Sequence, residues 1–140
     1  KTKRGGKATL HSRGQKVVYF VLNLNKRNKD IRKLINDVEN CIISTLKTYK
    51  IKSFSDKNNI GIWIKKREKV EKIAAIGIRV KKWIAYHGFC INVSNNLKYY
   101  KNIIPCGVKN KGVTSLKQMG IKKYENIDQV IIKNFLNIFP

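Results

Sequence analysis

The stretch IGIWIKKREKVEKIAAIGIRV, residues 60–80, decides the fold, because it contains two apolar runs around a charged turn. Ile60–Ile64 (IGIWI) and Ile73–Val80 (IAAIGIRV) are rich in β-branched residues, which favour strands. This pattern predicts a hairpin whose tip lies between Lys65 and Glu71. A further apolar run, Trp83–Val93, follows and predicts another strand.

The segments on either side predict one more strand and two helices. Val17–Leu24 (VVYFVLNL) is typical of a buried strand, and Asp30 is a candidate N-cap for a helix that runs to about Ile51. After the polar stretch Ser94–Asn102, Val113–Met119 indicates a turn or short helix. Apolar residues at helical spacing predict both helices. In the first helix they are Ile31, Leu34, Ile35, Val38, Ile42, Leu46 and Tyr49. In a closing helix they are Ile127, Val130, Ile131, Phe135 and Ile138. The order predicts an α+β fold, a mixed and mostly antiparallel sheet with helices packed on one face.

Length and composition bound the class of protein. A chain of 140 residues with 42% hydrophobic residues forms a single domain, residues 1–140, with one core. No apolar run approaches the roughly 20 residues needed to span a bilayer, so we expect no membrane partner. The sequence starts at Lys1 inside a Gly-rich motif, and we therefore expect it to lack its natural N-terminal part.

The net charge of +23 leaves two interpretations open. An excess of cations of this size favours an acidic partner, either nucleic acid or an acidic protein. The alternative is codon bias, because Lys, Ile and Asn all have AT-rich codons and the cations run along the whole chain. Charge alone does not decide between them.

Two residues are candidates for covalent chemistry. Cys106 stands between Pro105 and Gly107, which predicts a sharp turn after an apolar run, although an ordinary loop cysteine fits as well. Lys72 ends the charged turn and precedes the run IAAIGI. A desolvated lysine there could act as a base, but a solvated turn lysine is the alternative. Cys41 falls in the apolar pattern of the first helix and is predicted to be a core thiol.

Other chemistry finds little support in the sequence. The three cysteines include no CxxC pair and no tight Cys/His cluster, so no structural zinc site is expected. No cofactor is expected either. His11 and His87 could each pair with a cysteine, although His87 also fits an inward-facing strand histidine. The Gly-rich segment GGKATLHSRGQ lacks both the Walker and the GxGxxG patterns.

Four blocks in this order resemble the octanoyltransferases of lipoate biosynthesis, which transfer an octanoyl group from acyl carrier protein to proteins. They are Arg4–Gln15 (RGGKATLHSRGQ), Lys72–Trp83 (KIAAIGIRVKKW), Tyr86–Val93 (YHGFCINV), and PCGV at 105–108 with VTSL at 113–116. The resemblance implies the catalytic fold of biotin and lipoate ligases. It also implies that Cys106 carries the acyl-thioester and that Lys72 is its base.

The same resemblance implies an acyl-binding surface and a set of partners. The surface would consist of Arg4, Gly5, Gly6, Lys7, Ala8, Thr9, Leu10, His11, Ala75, Ile76, Gly77, Gly88, Phe89 and Cys90. The implied partners are octanoyl-acyl carrier protein and the lipoyl domains of 2-oxoacid dehydrogenases and of the glycine cleavage H protein. No nucleic acid is expected. The implied compartment is the cytoplasm or a plastid-type organelle.

Three departures from the family pattern are visible. The family usually reads HGPGQ where this chain has His11-Ser12-Arg13-Gly14-Gln15, and usually has Ala at the position of Cys90. About the first third of a typical member is also absent. Two alternatives to octanoyl transfer remain, an ATP-dependent lipoate ligase and a non-catalytic basic module that binds RNA.

Overall fold

The computed structural model describes residues 10–102 and 111–140, and of Lys101 and Asn102 it describes the backbone alone. Its strands are β1 (Gln15–Asn23), β2 (Phe54–Asp56), β3 (Asn59–Lys66), β4 (Lys69–Lys81), β5 (Ile84–Asn92) and β6 (Gly112–Val113). Its helices are α1 (Ile31–Thr48) and α2 (Ile127–Ile138), with 3₁₀ turns at Leu24–Lys26 and Leu97–Asn102. In the described ranges, no helix has the length and apolar character that crossing a membrane requires.

The strands form one mixed sheet in the order β1-β5-β4-β3-β2. All neighbours in this order are antiparallel, and β6 adds a parallel pair to β4. The prediction of a mixed, mostly antiparallel sheet with packed helices is confirmed. Because β4 and β5 lie in the interior of the sheet, each is hydrogen-bonded to a neighbouring strand on both sides.

Two tight turns build the central meander. The β3–β4 turn is at Arg67 and Glu68, inside the predicted hairpin tip. The β4–β5 turn consists of Lys82 and Trp83, with φ of +51° and +62°. Positive φ at both central residues is the type I′ geometry, which matches the twist of the flanking strands. Trp83 was therefore wrongly predicted to start β5.

Helix α1 begins as the sequence predicts. The Asp30 side chain accepts a hydrogen bond from the Lys33 backbone N–H at 2.9 Å and so caps the first turn. The helix ends at Thr48, before the predicted Ile51, which is nevertheless buried. Cys41 is fully buried in α1, and burial raises the pKa of its thiol to about 11. The prediction of a core thiol is confirmed.

In the described part of the chain, both helices pack on the same face of the sheet. Along β1, Val18, Phe20 and Leu22 pack in the core cluster that α1 and α2 share, whereas Tyr19 and Val21 are 69% and 73% exposed. Alternation along a strand puts these two sets on opposite sides. We call the side of Tyr19 and Val21 the open face.

Two short strands were not predicted. Phe54–Asp56 was given no structure, and Val113–Met119 was predicted to be a turn or short helix, although it starts with the end of β6. Strands of three and two residues are too short to show a hydrophobic period. Their partners in the sheet define them, and these partners are distant in the sequence.

Candidate active site

A β-bulge at Ile73 sets the direction of the Lys72 side chain. Ile62 pairs with Ala74, but the next residue of β3, Trp63, pairs with Lys72, so Ile73 is an extra residue in β4. Such a bulge interrupts the alternation of side chains along a strand. Ile73 and Ala74 belong to the hydrophobic core cluster, whereas Trp63, the buried cross-strand partner of Lys72, does not. Lys72 therefore lies beside Trp63 on the open face.

The Lys72 ammonium occupies a site built by β3. Its side chain is buried, with 5% of the residue exposed, and Nζ donates a hydrogen bond to the Ile60 carbonyl oxygen at 3.0 Å. Nζ also lies 4.6 Å from the centroid of the Trp63 ring, within cation–π range. A Cβ at Gly61 would lie 2.9 Å from Lys72 Cε, so this glycine leaves the room that the lysine needs.

Strand β6 connects Lys72 to the segment that carries the second candidate. Val113 pairs with Lys72, and the Thr114 N–H donates to the Lys72 carbonyl oxygen at 2.9 Å. Cys106 precedes β6 closely in the sequence but lies outside the described residues. The structure thus brings the chain that follows Cys106 to the strand of Lys72, although the two are far apart in the sequence.

The central strands present small residues on the open face. Ala75 pairs with Cys90, and Gly77 pairs with Gly88. A side chain at Gly88 would overlap the Val18 backbone oxygen, so only glycine fits there. These residues are small, and the register places them on the same side of the sheet as Lys72.

The remaining predicted binding residues are a pair in the central strands and the loop before β1. Ile76 and Phe89 pair with each other on the helix side, where both pack in the core, so that only their backbones reach the open face. Leu10 and His11 are described and lie before β1. The rest of the predicted loop, Arg4, Gly5, Gly6, Lys7, Ala8 and Thr9, lies outside the described residues.

Hydrogen bonds connect His11 to the strands of the site. His11 Nδ1 and Gln15 Oε1 are 2.7 Å apart, and Gln15 Nε2 donates to Asn92 Oδ1 at 2.8 Å. Asn92 Nδ2 then donates to the Thr114 carbonyl oxygen at 3.0 Å. The network fixes the loop of His11 relative to β5 and to the residue that follows β6.

Tyr100 ties the same loop to the 3₁₀ turn. Its hydroxyl accepts a hydrogen bond from Gln15 Nε2 at 3.1 Å and donates one to the Leu10 carbonyl oxygen at 3.2 Å. Burial, with a smaller effect from the Cys90 thiol, raises the pKa of Tyr100. The hydroxyl therefore keeps its proton and remains a donor to Leu10.

The loop keeps its turn despite the departure from HGPGQ. The Gln15 N–H donates to the Ser12 carbonyl oxygen at 3.2 Å, and Gly14, third in this turn, has φ +88°. A type II turn needs positive φ at its third residue, which glycine supplies without strain. A Cβ at Gly14 would also lie 2.7 Å from the Asn95 nitrogen. Ser12 and Arg13 occupy positions that do not require glycine.

Four residues of the site were not among the predicted ones: Gln15, Trp63, Asn92 and Lys111. Asn92 gave a signal, because a polar residue interrupts the apolar run FCINV. Trp63 and Lys111 gave none, since an apolar strand residue and one lysine among many are ordinary. His87, with φ +69°, is partly buried and its ring contacts that of Tyr86. The described residues contain no cluster of His, Cys, Asp and Glu that could hold a metal ion.

Comparison with known proteins agrees with this geometry. The family model of the lipoyl protein ligase A/B catalytic domain matches residues 1–136. A curated relative from Wolbachia pipientis subsp. Culex pipiens (strain wPip), named octanoyltransferase, is 48% identical over 99% of this chain and 69% of its own length. Among solved structures, lipoate-protein ligase A bound with ATP aligns with a TM-score of 0.75 at 14% identity, over 98% of this chain and 57% of the other. A bi-partite lipoate protein ligase with its E2 lipoyl domain from Thermoplasma acidophilum gives 0.71 at 13% identity, over 98% and 56%.

The structural likeness shows the fold, that of the catalytic domain of lipoate-protein ligases. The family model and the sequence identity go further, and this chain belongs to the lipoyl protein ligase A/B catalytic domain family. The family resemblance predicted from the sequence is confirmed. The chain spans 69% of the Wolbachia relative and 57% of the first of these structures.

Proposed function

We propose that this chain catalyses octanoyl transfer from octanoyl-acyl carrier protein to the target lysine of lipoyl domains, through an acyl-thioester on Cys106. The observation that carries the proposal is the buried Lys72 ammonium on the open face, beside the strand that follows Cys106. The name of the Wolbachia relative supports the choice of octanoyl transfer over ligation.

The first half-reaction loads the enzyme. The neutral Lys72 amine takes the proton of the Cys106 thiol and becomes an ammonium, and the thiolate attacks the carbonyl carbon of the octanoyl thioester. The bond to the carrier sulfur breaks, and Lys72 returns the proton to that sulfur. One thioester replaces another, so the step is nearly isoenergetic and needs no ATP.

The second half-reaction transfers the acyl group. The amine of the target lysine attacks octanoyl-Cys106, the thiolate of Cys106 leaves, and the proton of the amine passes through Lys72 to the thiolate. Amide formation from a thioester is downhill. The small residues Ala75, Gly77 and Gly88 leave space for the octanoyl chain on the open face, with Leu10 and His11 at the edge of the site.

The test of this function separates acyl transfer from ligation. The full-length protein, octanoyl-acyl carrier protein and a lipoyl domain, without ATP, should yield a lipoyl domain heavier by one octanoyl group in mass spectrometry. Free octanoate with ATP should yield none. The opposite pattern would identify a lipoate ligase. RNA binding that weakens with salt and survives loss of Cys106, without either product, would support the basic binding module.

Salt should weaken the recognition of acyl carrier protein. The chain has 31 Lys and Arg against 8 Asp and Glu, and the described residues form three ion pairs, which occupy few of these cations. We expect the apparent KM for the acidic carrier to rise about fivefold between low and physiological salt, with kcat little changed.

An uncharged donor provides the control for this effect. The KM for octanoyl-N-acetylcysteamine should stay constant over the same salt range. If the KM for the carrier is also constant, codon bias explains the charge of the chain.

The proposed compartment is the cytoplasm or a plastid-type organelle.

A further inference from the structure

Lys111 makes two contacts that connect it to the site of Lys72. Its Nζ lies 4.5 Å from the centroid of the Trp63 ring, the same ring that the Lys72 ammonium contacts at 4.6 Å. Nζ also forms an ion pair with Asp56 Oδ2 at 3.1 Å. Both partners belong to β2 and β3, at the far end of the sheet from β1. Lys111 therefore attaches the start of β6 to β2 and β3, beside the Lys72 side chain.

The partners of Lys111 are themselves fixed by the turn between β2 and β3. The Asp56 carboxylate accepts hydrogen bonds from the Asn58 backbone N–H at 2.9 Å and from Asn59 Nδ2 at 2.8 Å. Trp63 Nε1 donates to the Asn59 carbonyl oxygen at 2.9 Å, and only 1% of Trp63 is exposed. Because the carboxylate and the ring are held independently of Lys111, they form a preorganised anchor.

We infer that Lys111 is a positioning residue, which anchors the start of β6 to the Trp63 ring and to Asp56, next to Lys72, and so contributes to the alignment of the reacting groups. Lys111 follows Cys106 closely in the sequence and directly precedes Gly112, where pairing with β4 begins. The inference rests on the proposed function of Cys106 and Lys72.

The charges around Lys111 allow it to act over the whole working pH range. Hydrogen bonds from Asn59, Asn58 and Lys111 lower the pKa of Asp56 to about 2, so the ion pair is lost only in strong acid. The other charged groups nearby are the Lys72 ammonium and the Glu71 carboxylate, whose Oε1 lies 3.4 Å from the position of a Cβ at Gly112. The Asp56 carboxylate therefore stays charged at neutral pH and remains available as a partner for Lys111.

The test is the rate of Cys106 octanoylation in a single turnover of the full-length protein. Lys111→Met should slow it about three- to tenfold, because alignment is lost while the nucleophile and its base remain. Lys111→Arg, which keeps the ion pair, should restore most of the rate. The double variant Lys111→Met with Asp56→Asn should be no slower than the slower single variant, since both changes remove one interaction.

A matched control removes a lysine and an ion pair elsewhere. Lys33→Met breaks the pair with Asp37 on α1, at 2.6 Å, and should leave the rate unchanged. Thermal unfolding of each variant separates a loss of alignment from a loss of fold. A wild-type rate in Lys111→Met, or an Arg variant as slow as the Met variant, would overturn the inference. Absence of octanoylation in the wild-type protein would overturn the proposed function and the inference together.

Discussion

Replacement of Cys106 by serine is expected to abolish both the octanoyl adduct and transfer to a lipoyl domain. An alcohol is far harder to ionise than a thiol near neutral pH, so the seryl oxygen is a poor nucleophile toward a thioester. The rate should fall by more than about 10³-fold, the order found when nucleophiles are removed from other enzymes. Incubation with octanoyl-acyl carrier protein, followed by denaturation and peptide mass analysis, measures the adduct directly.

The two other thiols provide the controls for this experiment. Cys41 is fully buried and its pKa is raised to about 11, so it should stay unmodified. Cys90 lies on the open face but is only 4% exposed, and slow modification is the most that we expect there. Cys90→Ala introduces the residue that the family usually has and should keep the activity. Transfer that persists in the Cys106→Ser protein would exclude the covalent mechanism.

Replacement of Lys72 by methionine should slow octanoylation of Cys106 by about 10²- to 10⁴-fold, the usual contribution of a general base. Methionine fills a similar volume and removes the proton acceptor. Folding should suffer much less, because the lost interactions include a hydrogen bond to Ile60 and a contact with the Trp63 ring, each contributing only roughly 1 kcal/mol. Single-turnover kinetics measures the rate, and thermal unfolding measures the stability.

The pH dependence of Cys106 alkylation tests the same role without substrate. Loss of the neighbouring cation should move the alkylation profile to higher pH, because the thiolate loses a favourable charge interaction. Lys72→Arg is the matched control, since it keeps a positive charge but cannot act as a base. We expect it to retain more of the low-pH alkylation than Lys72→Met while octanoylation stays slow. An unchanged profile in Lys72→Met would remove Lys72 from the mechanism.

The predictions that the structure confirms concern elements with a long hydrophobic period. Helix α1 and its cap at Asp30 followed from apolar spacing and from one short polar side chain. The β3–β4 hairpin followed from two apolar runs around charged residues. The strands β2 and β6 could not be found in this way, because pairing with distant residues defines them.

The site was predictable in its residue types and not in its contacts. Lys72 was a candidate because of its position before an apolar run, and family resemblance assigned it a role. No sequence pattern pointed to Trp63 or Lys111. In the structure, the side chains of Lys72 and Lys111 both contact the Trp63 ring. These contacts join β3, β4 and Lys111, which are distant in the sequence, and the pairing of β3 and β6 with β4 brings them together.

The sequence by itself determined the fold class, the two helices and the family, because periodicity and motif order are local properties of the chain. Only the tertiary structure decided which face of the sheet Lys72 occupies. One extra residue, Ile73, interrupts the two-residue period of β4, and this interruption exists only relative to the partner strand β3. The same bulge separates the core residue Ile73 from Lys72, whose backbone also pairs with β6, the strand that follows Cys106.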